Sequence, residues 1–166
     1  MSRLVLVGLP GVGKTSVARI LASAWDCPAA DTDDLLSGAV GCPAALYLRR
    51  EGVEAFRIAE VAALVNALEV DNVVATGGGI VTTPAARELL IGTTTLWLDC
   101  DDEVIVGRLG NVDRPLIGED ASVSLATLRS EREGFYQEVS RARVEASGAL
   151  RDVAQRVRET LAEVTS

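Results

Sequence analysis

The sequence predicts an α/β fold in which a parallel sheet is covered by helices on both faces. Three observations carry this. Short runs of β-branched and aliphatic residues alternate with longer stretches of helical spacing. The runs are apolar at consecutive rather than alternate positions, so each strand must be buried on two sides. The first run leads directly into Gly8-Leu9-Pro10-Gly11-Val12-Gly13-Lys14-Thr15, which matches G-x-x-x-x-G-K-[ST], a phosphate loop joining a buried strand to a helix. The expected class is therefore a P-loop NTPase fold.

The elements follow in order. Arg3–Val7 has strand length, and Thr15–Ala24 continues it with Val17, Ile20 and Leu21 at helical spacing. A weaker strand precedes Asp31, and helices are expected at about Asp33–Gly38 and Val53–Glu69. Asn72–Thr76 holds the buried-strand candidate Val73-Val74-Ala75 and runs into Gly77-Gly78-Gly79. Thr83-Pro84 opens a helix reaching Leu90, with a hydroxyl N-cap and proline at the first helical position. Thr95-Leu96-Trp97-Leu98 is a strand ending at Asp99, followed by a helix over Asp102–Arg108. A helix over Ser124–Ser140, a fifth strand near Arg143–Glu145 and a helix over Ala149–Val164 complete the chain. No repeat, low-complexity tract or linker interrupts it, so residues 1–166 read as one domain. Gly110–Ala121 is polar, contains Pro115 and has the least regular pattern, which makes it the candidate for a mobile lid.

Composition narrows the function. The chain is 48% hydrophobic and 24% charged, which is globular rather than disordered, and only 4% aromatic, so its core must be aliphatic. A net charge of −8 argues against coating nucleic acid or an anionic membrane. No apolar run approaches the length of a membrane span. Cys27, Cys42 and Cys100 form no CxxC pair, and there is no histidine, which excludes an ordinary zinc site and any His-dependent catalysis. The expectation is a cytoplasmic protein without nucleic-acid or membrane partners, and a monomer because no dimer seam is visible. Of its 16 basic residues, only Lys14 is a lysine, a compact point charge kept where all others are arginine.

Lys14 lies in the phosphate motif. There the glycines let successive backbone N–H groups turn toward phosphate oxygens, and the helix N-terminus adds positive field. Lys14 can reach the β- and γ-phosphates, and the Thr15 hydroxyl can ligate Mg²⁺. The motif announces a nucleotide but not its use. The NKxD guanine signature is absent and a chain of 166 residues has little room for a motor, so a small-molecule kinase leads.

Three further features suit an acceptor site. Asp31-Thr32-Asp33-Asp34 falls where a second strand should end, and its carboxylates could hold Mg²⁺ or an acceptor hydroxyl, or cap the next helix. Arg57 and Glu60 share a helical face and can pair. Gly77-Gly78-Gly79 implies that something needs bare main chain close by.

With these in place, the chain resembles the shikimate kinase family nearly end to end. The resemblance rests on GLPGVGKT at 8–15, DTD at 31–33, FR at 56–57 with Glu60, TGGG at 76–79, RPL at 114–116, and Arg132 with Tyr136. It implies a nucleoside-monophosphate-kinase-like fold with a five-stranded parallel sheet, and ATP-dependent phosphorylation of the 3-hydroxyl of shikimate on the route to aromatic amino acids. It further implies that Gly11, Val12, Gly13, Lys14, Thr15 and Ser16 hold ATP, with Arg108 near the adenine and Arg114 closing over the phosphates. Asp33 would hold the acceptor hydroxyls and take the proton, which makes Lys14, Asp33 and Arg114 the catalytic set. Arg57 and Arg132 would grip the substrate carboxylate, Gly78 and Gly79 would lie against the ring, and Thr15 with Asp31 would hold Mg²⁺. Two departures stand out. Gly134 occupies the stretch after Arg132 where the family often has proline, and Glu145–Ala149 has no arginine where many relatives carry one against adenine. Two other readings fit the same residues: a same-fold kinase of another hydroxy acid or cyclitol, such as gluconate or an aminoshikimate type, and a catalytically silent nucleotide-binding module.

Overall fold

Leu4–Val7 forms β1, the central strand, and all four residues are fully buried. The computed structural model describes residues 4–110 and 121–166, the side chains of 121–124 excepted. The other strands are β2 (Ala29–Asp31), β3 (Val73–Ala75), β4 (Thr95–Asp99) and β5 (Ala142–Glu145). They form one sheet in the order β2-β3-β1-β4-β5, every pair parallel. The register sets Leu4 beside Val73 and Val5 beside Thr95. Because β1 lies between β3 and β4, the chain reverses its direction of travel across the sheet there, and the C-terminal strand ends open a crevice at that switch point.

Among the described residues the helices are α1 (Lys14–Ala24), α2 (Thr32–Val40), α3 (Ala44–Glu51), α4 (Val53–Glu69), α5 (Pro84–Ile91), α6 (Asp102–Leu109), α7 (Ala121–Val139) and α8 (Leu150–Thr165), with a 3-10 turn at Ile80–Thr82. The five expected strands are therefore all present, as are the seven expected helices. α2 runs two residues past Gly38 and stops at Gly41, which adopts the left-handed conformation. Thr83 does occupy the N-cap of α5, with Pro84 behind it, but its hydroxyl makes no capping bond. α3 was not expected. Its signals were local all the same: Pro43 at the N-cap, seven good helix formers among eight residues, Arg49 and Arg50 in the last turn, and Gly52 after the end.

Leu6, Leu21, Val74, Leu96, Leu98 and Val157 represent the main core, all at 0% exposure, where each such side chain contributes roughly 1.5–3 kcal/mol by leaving water. A smaller core joins α2, α3 and α4 through Leu36, Phe56 and Ala63, with Tyr47 and Leu48 packed on it. This second core carries one wall of the crevice away from the sheet. Among the described residues, no helix is long and apolar enough to cross a membrane. The lid candidate at 110–121 and Arg114 within it lie outside the described residues, apart from Gly110 at the end of α6 and Ala121 at the start of α7.

Candidate active site

The turn after β1 closes tightly because Gly13, the N-cap of α1, takes φ 107°, a conformation open to glycine at little cost. Lys14 folds back over the loop, its Nζ donating to the carbonyls of Gly8 at 2.7 Å and Leu9 at 2.9 Å. Thr15 Oγ1 donates to Asp31 Oδ2 at 2.5 Å, so the end of β2 is tied to the start of α1. The other Asp31 oxygen accepts from the backbone N–H of Asp33 at 2.9 Å and of Asp34 at 3.4 Å. Asp31 therefore does cap α2, with its second oxygen turned to the loop.

These groups line one cleft of about 670 Å³ at the C-terminal ends of the strands. Of the residues expected at the site, Gly11, Gly13, Lys14, Thr15, Ser16, Asp31, Asp33, Arg57, Gly78, Gly79, Arg108 and Arg132 all line it. Val12 does not. Its side chain is fully buried and its N–H donates back to the Leu9 carbonyl at 3.3 Å.

The acceptor side is built on bare backbone. A Cβ on Gly79 would lie 2.6 Å from Arg57 Nη2 and 3.1 Å from Arg132 Nη2, so two guanidiniums from different helices press against one residue. A Cβ on Gly77 would meet Asp33 Oδ1 at 2.9 Å and Glu60 Oε2 at 3.0 Å. Gly77 N–H donates to Thr32 Oγ1 at 2.9 Å, which fixes the glycine segment to α2. Arg132 is 8% exposed, and its Nε is buried with no hydrogen-bond partner among the described residues. An unsatisfied guanidinium N–H is costly, and an anionic ligand would satisfy it.

Several contributors depend on burial and contacts that the sequence did not show. Glu60 was expected to pair with Arg57 and does, at 3.0 Å, but its spacing gave no sign that it would be 1% exposed. Burial pushes its carboxyl up to about 7, with Asp33 adding to the rise and Arg57 opposing it. Tyr136 is 1% exposed, stacks on Trp97 and donates its hydroxyl to the Gly78 carbonyl at 2.5 Å. Burial drives that hydroxyl up to about 12, so it remains a donor. Ala45 and Leu48 of α3, with Phe56 of α4, form an apolar wall of the cleft. α7 is anchored by Arg129, whose guanidinium donates to Asp99 Oδ1, Asp102 Oδ1 and the Cys100 carbonyl, each at 2.8 Å. α7 also continues unbroken through Gly134, where a Cβ would meet nothing within 4 Å.

Thr15 and Asp31 supply two adjoining hard oxygen donors, which fits Mg²⁺, an ion that takes few protein ligands and completes its shell with water and phosphate. The combination of phosphate loop, carboxylate and paired guanidiniums in one cleft suits phosphoryl transfer to a small hydroxylated acid.

Comparison with known proteins points the same way. The family model described as Shikimate kinase matches residues 10–162. A shikimate kinase of Corynebacterium jeikeium is 38% identical over 148 residues, covering 88% of this chain and 80% of that protein. One from Symbiobacterium thermophilum is 38% identical over 167 residues, with 96% of each covered. The structure is similar to that of a shikimate kinase from Acinetobacter baumannii solved in complex with shikimate, with a TM-score of 0.90, 30% identity, and coverage of 96% and 92% of the two chains.

Proposed function

The chain belongs to the shikimate kinase family, and from that premise we propose that it transfers the γ-phosphate of ATP to the 3-hydroxyl of shikimate. The observation that carries the reading is the convergence of Arg57 and Arg132 on Gly79, in the same cleft as Lys14. A planar carboxylate suits two forked donors held side by side, and the ring that bears it can then lie along Gly78 and Gly79.

The residue roles follow from position. The loop from Gly11 to Ser16 cradles the phosphates, and Lys14 exchanges its two backbone acceptors for phosphate oxygens when nucleotide enters. Mg²⁺ would be held by Thr15 and Asp31, and when bound it supplies positive charge to the phosphate oxygens. Asp33 lies beside Gly77 within the cleft and accepts the proton of the acceptor hydroxyl. Arg108 borders the end of the cleft beside Gly13 and holds the nucleotide's base side. Positioning and charge neutralisation carry such a reaction, so a chain without histidine is not handicapped.

Coupled ADP release with Mg²⁺-ATP tests the reading, with shikimate, gluconate or no acceptor. Saturable turnover with shikimate and none with gluconate is expected. ATP binding without turnover on either acid would overturn shikimate as the acceptor and leave another cyclitol or a catalytically silent module, and turnover on gluconate alone would reassign the acceptor.

A further inference from the structure

Arg156 lies on α8 and is not among the residues lining the cleft, yet it grips the turn that follows β5. Its Nη1 donates to the Glu145 carbonyl and, at 3.0 Å, to the Ser147 carbonyl. Arg108 Nη2 donates to the Gly148 carbonyl at 2.9 Å, and its Nη1 donates to the Val12 carbonyl of the phosphate loop at 2.8 Å. Two arginines thus hold three carbonyls of one short turn, and one of them continues into the nucleotide loop.

The turn is pinned at its two ends, by Ala146, which is fully buried and donates its N–H to the Asp99 carbonyl at 2.8 Å, and by the Ala149 carbonyl at the start of α8. The carbonyls of Ser147 and Gly148 between them are held by the arginines. Ala146-Ser147-Gly148-Ala149 contributes no charged side chain, and Gly148 sits at φ 85°, where backbone alternatives are many. Arg156 Nη2 is 3.6 Å from where a Gly148 Cβ would be. Immediately after the turn, Leu150 comes within 2.9 Å of a Cβ position on Gly13, at the same end of the cleft as Arg108.

We propose that Arg156 is a positioning residue for the nucleotide: it holds the 145–148 turn so that the Gly148 carbonyl fixes the guanidinium plane of Arg108 at the base-side end of the cleft. This rests on the nucleotide reading given above. A guanidinium whose edge donors are committed to two backbone carbonyls keeps its flat face for a ring. Without Arg156 the turn samples other conformations, Arg108 loses one acceptor, and ordering both again on binding weakens the nucleotide.

The test is titration calorimetry of ADP on the full chain for wild type, Arg156→Ala, Arg108→Ala and the double variant, with shikimate kinetics alongside. Arg156→Ala should weaken ADP by about fivefold and raise KM for ATP in step, with kcat and the KM for shikimate unchanged. In the Arg108→Ala background, Arg156→Ala should add nothing, because it acts through Arg108. If the alanine variant fails to fold, Arg156→Lys, which keeps the charge but loses the fork, should show a smaller effect of the same kind. Unchanged ADP affinity in a folded Arg156 variant, or full additivity in the double variant, would overturn the positioning role alone. A wild-type protein that binds no ADP would overturn the nucleotide reading with it.

Discussion

Arg57 of α4 and Arg132 of α7 meet over the backbone of Gly79, whose missing side chain leaves room for both: a Cβ there would be 2.6 Å from Arg57 and 3.1 Å from Arg132. Gly79→Ala should therefore spread the pair, raising KM for shikimate at least tenfold while KM for ATP changes little. Steady-state kinetics with each substrate varied in turn checks this. Equal increases in both constants would mean that the pair does not serve the acid.

Arg57→Ala removes one arm of the same grip. A charge-assisted contact is worth roughly 1.5–3 kcal/mol, so KM for shikimate should rise roughly ten- to hundredfold. An increase confined to ATP would contradict the assignment.

Lys14→Ala should reduce kcat on the order of a thousandfold, the scale seen when one preorganised electrostatic partner is lost. The Gly8 and Leu9 carbonyls that it releases are buried, so the variant should fold with some loss of stability beside the loss of turnover. Circular dichroism melts beside the assay separate the two effects. A large drop in Tm would make Lys14 a structural residue.

Glu60 makes stability depend on pH. Its carboxyl is raised by burial from 4.5 to about 7, so the folded state keeps a proton that the unfolded chain releases. Its contribution is fully present below about pH 4.5, declines as pH rises to about 7 and is level above, an effect of up to about 3 kcal/mol. Glu60→Gln should reduce the difference in urea midpoint between pH 5 and pH 8. The same difference in both proteins would assign the pH dependence to other groups.

Asp99 is 4% exposed and serves two arginines, accepting from Arg129 on one oxygen at 2.8 Å and from Arg143 on the other at 3.0 Å. Asp99→Asn should cost roughly 2–3 kcal/mol in denaturant titration, less than a wholly buried pair because Arg143 is half-exposed. A loss below about 0.5 kcal/mol would mean that the network contributes nothing to anchoring α7.

By itself, the sequence determined what depends on near neighbours. The phosphate loop is contiguous from Gly8 to Thr15, so its turn and the helix N-terminus that follows could be read from eight adjacent residues. The buried strands were readable because consecutive apolar residues admit few other solutions, and β1, β3 and β4 are fully buried as that pattern requires. α3 escaped although its signals were local, because its eight residues bury no side chain completely and so show no strong apolar stripe. Which of fifteen arginines would meet a substrate was not a local matter. A family resemblance singled out Arg57 and Arg132, but only the folding of α4 and α7 against the glycine segment put both guanidiniums where a side chain on Gly79 would lie. The same holds for the burial of Glu60, the Tyr136 bond to Gly78 and the brace from Arg156 to Arg108. Each depends on distances between elements remote in sequence, and those are set by how the helices pack on the sheet.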